Sequence, residues 1–111
     1  MKPTFYTKKN TDNKILIGTK DDKGKPQLGL VPVEAIEAIA RAMEYGIDKY
    51  SRGNCVNVEP ERYINACLRH IYACQTPEGY DLNKTDEESG LKHIDHALAC
   101  LSFIAATNKE H

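Results

Sequence analysis

The chain lacks three things: a surplus of positive charge, a long apolar run, and an apolar segment behind its charged N-terminus. Its 15 Lys and Arg stand against 16 Asp and Glu, a net charge of -1, so no global positive field exists to collect nucleic-acid phosphates. A nucleic-acid polymer is therefore not the expected partner. The longest apolar stretches fall well short of the about 20 residues that a membrane span needs, and no membrane association is expected. The opening MKPTFYTKKN has none of the apolar core of an export signal, which predicts a cytoplasmic protein. There the four cysteines, Cys55, Cys67, Cys74 and Cys100, are expected as reduced thiols. Three of them fall on the apolar side of helical patterns, where a thiol packs as a small hydrophobe.

A length of 111 residues suits one domain with a modest core, and 41% apolar with 28% charged residues is ordinary globular usage. The pattern divides it into an N-terminal arm, 1–26, and a helical domain, 27–111. The arm is rich in Lys, Asp, Asn, Thr and Gly. Phe5-Tyr6 and Ile15-Leu16-Ile17 mark one or two short strands, joined by the turn-prone Asp21-Asp22-Lys23-Gly24. Leu28, Leu30 and Val31 form a short lead-in, as strand or extended loop.

From Pro32 the apolar period changes to that of a helix. Ile36, Ile39, Ala40, Met43 and Ile47 recur at spacings of three and four, predicting a first helix from Pro32 to about Tyr45 that relaxes at Gly46. Pro60 opens a second, with Ile64, Leu68 and Ile71 on one stripe and Tyr63, Ala66, Cys67, His70 and Cys74 on the next. So wide an apolar arc predicts the central position in the bundle. Gln75 to Lys84 reads as a loop. Thr85-Asp86-Glu87-Glu88 fits a capping box, with Ser89 as the alternative cap, for a third helix running to about Ala106. The fold expected is all-α: a compact bundle of three main helices with an irregular N-terminal arm or short hairpin. Three such helices bury little alone, so completion by a homodimer or larger homo-oligomer is expected.

The chemistry concentrates on facing helices. His93 and His96, at i and i+3, share a helix face and can address one metal ion or one phosphate, with Arg69-His70 brought near by packing. Two surface histidines are the plainer alternative. Cys67-x-x-His70-x-x-x-Cys74 and His93-x-x-His96-x-x-x-Cys100 share a spacing that soft zinc ligands could use. Any buried stripe has that spacing too, and zinc is not the ion expected. Glu34 and Glu37 on the first helix, with Glu88 before the third, are hard oxygen donors suited to Mg²⁺ or Mn²⁺ beside a polyphosphate. The alternative for Glu37 is a solvated i,i+4 pair with Arg41. Lys49-Tyr50 and Arg52-Gly53-Asn54 put two cations, a ring and an amide just past the first helix, a turn able to grip phosphates and touch a base or sugar.

Four ordered blocks carry a resemblance: Lys25-Pro26-x-Leu28-x-Leu30-Val31-Pro32-x-Glu34, Gly46-x-x-Lys49-Tyr50-x-x-x-Asn54, Tyr63-x-x-Ala66-x-x-Arg69-His70, and Glu88-Ser89-Gly90-Leu91-x-His93-x-x-His96-Ala97. Together they resemble the N-terminal domain family of dATP/dGTP diphosphohydrolases of bacteriophages. The resemblance implies an all-α domain and metal-dependent hydrolysis of a purine deoxynucleoside triphosphate to monophosphate and pyrophosphate. It implies catalytic roles for Glu34, Glu88 and His93, metal contacts from Glu34, Glu88, His93 and His96, and nucleotide contacts from Lys49, Tyr50, Asn54, Arg69 and His70. A non-catalytic protein that sequesters a nucleotide is the alternative, needing the cations and rings but no metal. Where the family tends to carry an aromatic after the asparagine, this chain has Cys55.

Overall fold

The computed structural model describes residues 4–9 and 15–108, and side chains from Gly18 onward. The chain forms two units that divide between Leu30 and Val31. In the first, β1 (Thr4–Lys9) pairs antiparallel with β2 (Ile15–Lys20), Phe5 opposite Thr19 and Thr7 opposite Ile17. The strands thus fall at Phe5-Tyr6 and Ile15-Leu16-Ile17, as the sequence predicts. The run Asp21 to Gly24 follows β2 instead of joining the strands. Its turn closes with the Lys25 amide donating to the Asp22 carbonyl, and Gly24 takes a φ of 76°. Leu28–Leu30 form a single 3-10 turn.

The second unit carries three helices: α1 (Val33–Lys49), α2 (Pro60–Ala73) and α3 (His93–Thr107). Pro32 stands just before α1, where its missing N–H costs nothing. Gly46 does not end α1. The helix continues one turn to Lys49, and the Tyr50 amide closes it on the Gly46 carbonyl at 2.7 Å. Pro60 occupies the first turn of α2. The expected loop after α2 contains a two-residue hairpin, β3 (Gln75–Thr76) with β4 (Gly79–Tyr80), so the fold is mainly helical with two small antiparallel pairs, not purely α.

The largest departure lies at α3. The helix begins at His93, not at the expected capping box. Gly90, at φ 76°, breaks the helical path, and Asp86 Oδ1 instead accepts the backbone amides of Glu88 (2.7 Å) and Ser89 (3.3 Å). This is an Asx turn, the local alternative that a short carboxylate offers the backbone. The Gly90 amide donates to the Asp86 carbonyl and the Asp86 amide to the Leu91 carbonyl, while a bridge pairs Thr85 with Lys92. A closed loop, residues 85–92, thus stands before α3.

The centre of the bundle is α3 rather than α2, since it packs against both α1 and α2. Its small residues Ala97 and Ala99 are buried and admit close approach from two sides, and Tyr63 of α2 stacks on Phe103 with ring centres 5.1 Å apart. Among the described residues, the buried apolar side chains are all small: Ala38, Ala42, Cys67, Cys74, Ala97 and Ala99. The larger Val33, Ile36, Ile64, Leu68, Tyr72 and Leu101 are exposed. All four cysteines are free thiols. Among the described residues, no helix is long and apolar enough to cross a membrane.

Candidate functional site

A cleft of about 900 Å³ opens between the C-terminal end of α1, the following turn, one face of α2, the 85–92 loop and α3. That volume is within the range of small-molecule sites. α2 contributes Arg62, Tyr63, Ala66, Arg69 and His70, which at 100° per residue occupy one side of the helix. Ile64, Leu68 and Tyr72 fall on the opposite side.

Of the residues singled out from the sequence, the cleft collects Lys49, Tyr50, Asn54, Arg69, His70, Glu88 and His96. Gly53, with φ 81°, makes the left-handed step that turns the chain into the 3-10 segment Asn54–Asn57 and sets Asn54 at the rim. Arg52 and Arg62 add to Lys49 and Arg69, so four cations line the cleft against two carboxylates, Asp86 and Glu88. Glu34 lies outside it, exposed in the first turn of α1. At 1.5 Å per residue it stands about 12 Å along the helix from Ala42, the first α1 residue to line the cleft. Glu37 forms the solvated pair with Arg41 at 3.8 Å.

At one wall, Lys49 Nζ donates to Glu88 Oε1 at 2.8 Å. Hydrogen bonds from Lys49 and then Tyr45 hold the Glu88 carboxyl below its usual range, and the same contact holds the Lys49 ammonium above its own. Glu88 in turn raises the Tyr45 phenol, chiefly by accepting its hydrogen bond. Both charged side chains are solvent-exposed, at 44% and 62%, so this pair is a surface arrangement that a stronger anion can compete for.

Deeper in, three rings gather. His70 and His93 bring their Nδ1 atoms to 2.9 Å, and each stands 3.9 Å from Asp86 Oδ2. The three ligand atoms lie within 4.8 Å of one another, in positions able to hold a metal ion. Burial lowers the His70 pKa, and the neighbouring His96 and His93 lower it further. For Asp86, burial pushes upward, but the amides of Glu88 and Ser89 together with the charges of His93 and His96 leave the carboxyl below its ordinary value. His96 takes a different part. Its Nε2 lies 2.6 Å from Ser89 Oγ, its ring stacks on that of His70 at 4.8 Å, and Tyr45 meets it edge-on at 5.8 Å. The i,i+3 histidines of α3 therefore both reach His70, one edge to edge and one face to face.

Asp86 falls inside the stretch that the sequence reads as a capping box begun by Thr85, with no site role. The available sign was an Asp followed by Ser-Gly three and four residues on, which suits an Asx turn at least as well as a capping box. The two Cys–His stripes supply their histidines to the cluster without their cysteines. Cys74 is fully buried and its thiol points to the His70 carbonyl at 3.5 Å, and Cys67 is buried as well.

No solved structure matches the chain. A protein of Salmonella phage PMBT28 named dATP/dGTP diphosphohydrolase is 35% identical over 89 residues, which is 80% of this chain and 29% of that protein. The chain thus spans less than a third of that relative's length. Residues 17–111 match the family described as dATP/dGTP diphosphohydrolase, N-terminal, across the whole helical unit, its cleft and its histidine cluster. With that extent of match, the chain belongs to the family of dATP/dGTP diphosphohydrolase N-terminal domains.

Proposed function

We propose that the cleft binds a purine deoxynucleoside triphosphate of the dATP or dGTP type and hydrolyses it to the monophosphate and pyrophosphate. The observation that carries this reading is the convergence of Lys49, Arg52, Arg62 and Arg69 with rings and an amide in one cleft of about 900 Å³. Arginine and lysine there would meet phosphate oxygens with charge-assisted hydrogen bonds, while Tyr50 and Asn54 would touch base or sugar. The name of the phage relative supports the substrate class.

In this reading a phosphate draws Lys49 from Glu88, which leaves the carboxylate more basic and free to take a proton from the attacking water. Water oxygen bonds to the α-phosphorus, the bond to the bridging oxygen breaks, and pyrophosphate leaves with its charge met by Arg69. A divalent ion, Mg²⁺ or Mn²⁺, belongs to the reading. The candidate donor set for an ion is His70, Asp86 and His93, whose ligand atoms lie within 4.8 Å of one another. When bound, such an ion polarises a phosphate and acidifies water. His96 positions His70 through ring stacking. Glu34, named for a metal role from the sequence, takes no part in the protomer's cleft.

A homodimer or larger homo-oligomer in a bacterial or phage-infected cytoplasm is part of the same proposal, supported by the exposed apolar row Ile64, Leu68 and Tyr72. The Lys49–Glu88 pair also favours a second reading: a carboxylate held by a cation suits nucleotide sequestration without turnover. Incubation with dATP or dGTP and Mg²⁺ or Mn²⁺ separates the two. Equimolar monophosphate and pyrophosphate, lost in Glu88→Gln, support the hydrolase. Tight binding with no product supports the sequestering protein.

A further inference from the structure

We infer that His70, Asp86 and His93 form a two-histidine, one-carboxylate site selective for a first-row transition ion, of the Mn²⁺ to Ni²⁺ class, over Mg²⁺. This deepens the proposed function by naming the kind of metal, and it stands on atoms independent of any nucleotide.

The geometry is that of ligands around a shared centre. Separations of 2.9, 3.9 and 3.9 Å among the two Nδ1 atoms and Asp86 Oδ2 define a triangle whose equidistant point lies roughly 2.1 Å from each atom. That is the usual bond length of imidazole nitrogen and carboxylate oxygen to a first-row divalent ion. Without an ion, two ring nitrogens at 2.9 Å need one protonated and one bare ring to form an N–H···N bond. With an ion, both bare lone pairs are used.

Donor chemistry then decides the metal. Mg²⁺ prefers an all-oxygen octahedron and gives up its water reluctantly, whereas two imidazoles with one carboxylate suit softer divalent ions. Three protein ligands also leave positions for water or phosphate oxygens, and two of the three residues, His70 and Asp86, line the cleft.

The carboxylate is held in a way that serves this. Asp86 Oδ1 is occupied by the Glu88 and Ser89 amides, while Oδ2 faces the histidines. The turn therefore fixes the ligand oxygen through its partner atom, which is what outer-shell hydrogen bonds do in metal sites. On the other side, the His93 amide donates to the Lys84 carbonyl at 3.0 Å, anchoring the start of α3 to the residue that precedes the loop.

The test is equilibrium dialysis of the full chain against MnCl₂, NiCl₂ or MgCl₂ without nucleotide, followed by metal quantification. The expected result is one Mn²⁺ or Ni²⁺ per protomer, bound at least tenfold more tightly than Mg²⁺. Asp86→Asn keeps the Oδ1 acceptor and so the turn, but should lose at least tenfold in affinity; His93→Ala should do the same. Should His93→Ala fail to fold by circular dichroism, pulsed paramagnetic resonance of wild-type protein with Mn²⁺ stands in, with directly bonded ¹⁴N expected in the echo modulation. Equal Mg²⁺ and Mn²⁺ affinity, undiminished Ni²⁺ binding in Asp86→Asn, or Mn²⁺ with no coupled nitrogen would overturn the inference. With nucleotide absent throughout, such a failure leaves the pyrophosphate assay to judge the proposed function separately.

Discussion

Lys49 Nζ and Glu88 Oε1, 39 residues apart in sequence, meet at 2.8 Å and join the end of α1 to the loop before α3. Both ends are exposed, so the pair contributes little to stability and its interest is chemical. Glu88→Gln is expected to leave the melting temperature almost unchanged, to keep or strengthen dGTP binding by freeing Lys49, and to slow hydrolysis by roughly a hundredfold, the usual scale for a lost general base. Calorimetric binding beside a product assay checks both halves.

Arg69 is one of three arginines in the cleft, and its planar guanidinium can meet two phosphate oxygens at once. Arg69→Ala should weaken triphosphate binding at least tenfold, and Arg69→Lys should recover only part of it. Fluorescence titration with a labelled deoxynucleotide reads the difference. Equal affinity for wild type and Arg69→Ala would remove the phosphates from this wall.

Gly90 adopts a φ of 76° with open space around it, so a side chain there meets strain rather than collision. Gly90→Ala should cost about 1–2 kcal/mol, the penalty of holding a non-glycine residue in the left-handed region, in urea unfolding. Since the same turn aims Asp86, metal affinity should fall with it.

The exposed row Ile64, Leu68 and Tyr72 lies on the side of α2 opposite the cleft. Sedimentation should find the wild type as a dimer or larger, and Leu68→Glu should shift it toward monomer while nucleotide binding persists. A monomeric wild type at tens of micromolar would contradict the self-association.

Burial pushes the Cys100 thiol above its ordinary pKa, and Cys100 lines the cleft. A raised thiol pKa means less thiolate at any given pH, so alkylation of Cys100 by iodoacetamide should be slow at pH 8 and quicken at higher pH than for a free thiol. Bound dGTP should slow it further. Peptide mass spectrometry over a pH series reads both effects.

Much of this was legible in the residues. The 3.6 period located all three helices, and Pro32 and Pro60 marked two of their starts. The cleft residues Lys49, Asn54, Arg69, His70, Glu88 and His96 stand out in the sequence, because cations, amides and imidazoles recur there at helix spacing or in turns. What escaped has physical causes. Gly46 lies inside α1 because an internal glycine costs only about 1 kcal/mol against alanine, which weakens a helix without ending it. α3 starts later than a cap at Thr85 or Ser89 would put it, because Asp86 closes an Asx turn and the left-handed Gly90 breaks the helical path. Glu34 shared chemistry with Glu88, but distance along α1 separates it from the cleft, and helical spacing informs only about neighbours on one helix. Asp86 joined His70 and His93 through a contact between three elements, which periodicity does not encode.

The most direct test of a phosphate-binding cleft is isothermal calorimetry of dGTP with wild type, Arg69→Ala and Glu34→Ala. One site per protomer is predicted, weakened at least tenfold by Arg69→Ala and changed less than twofold by Glu34→Ala. No heat of binding in wild type, or a loss confined to Glu34→Ala, would contradict it.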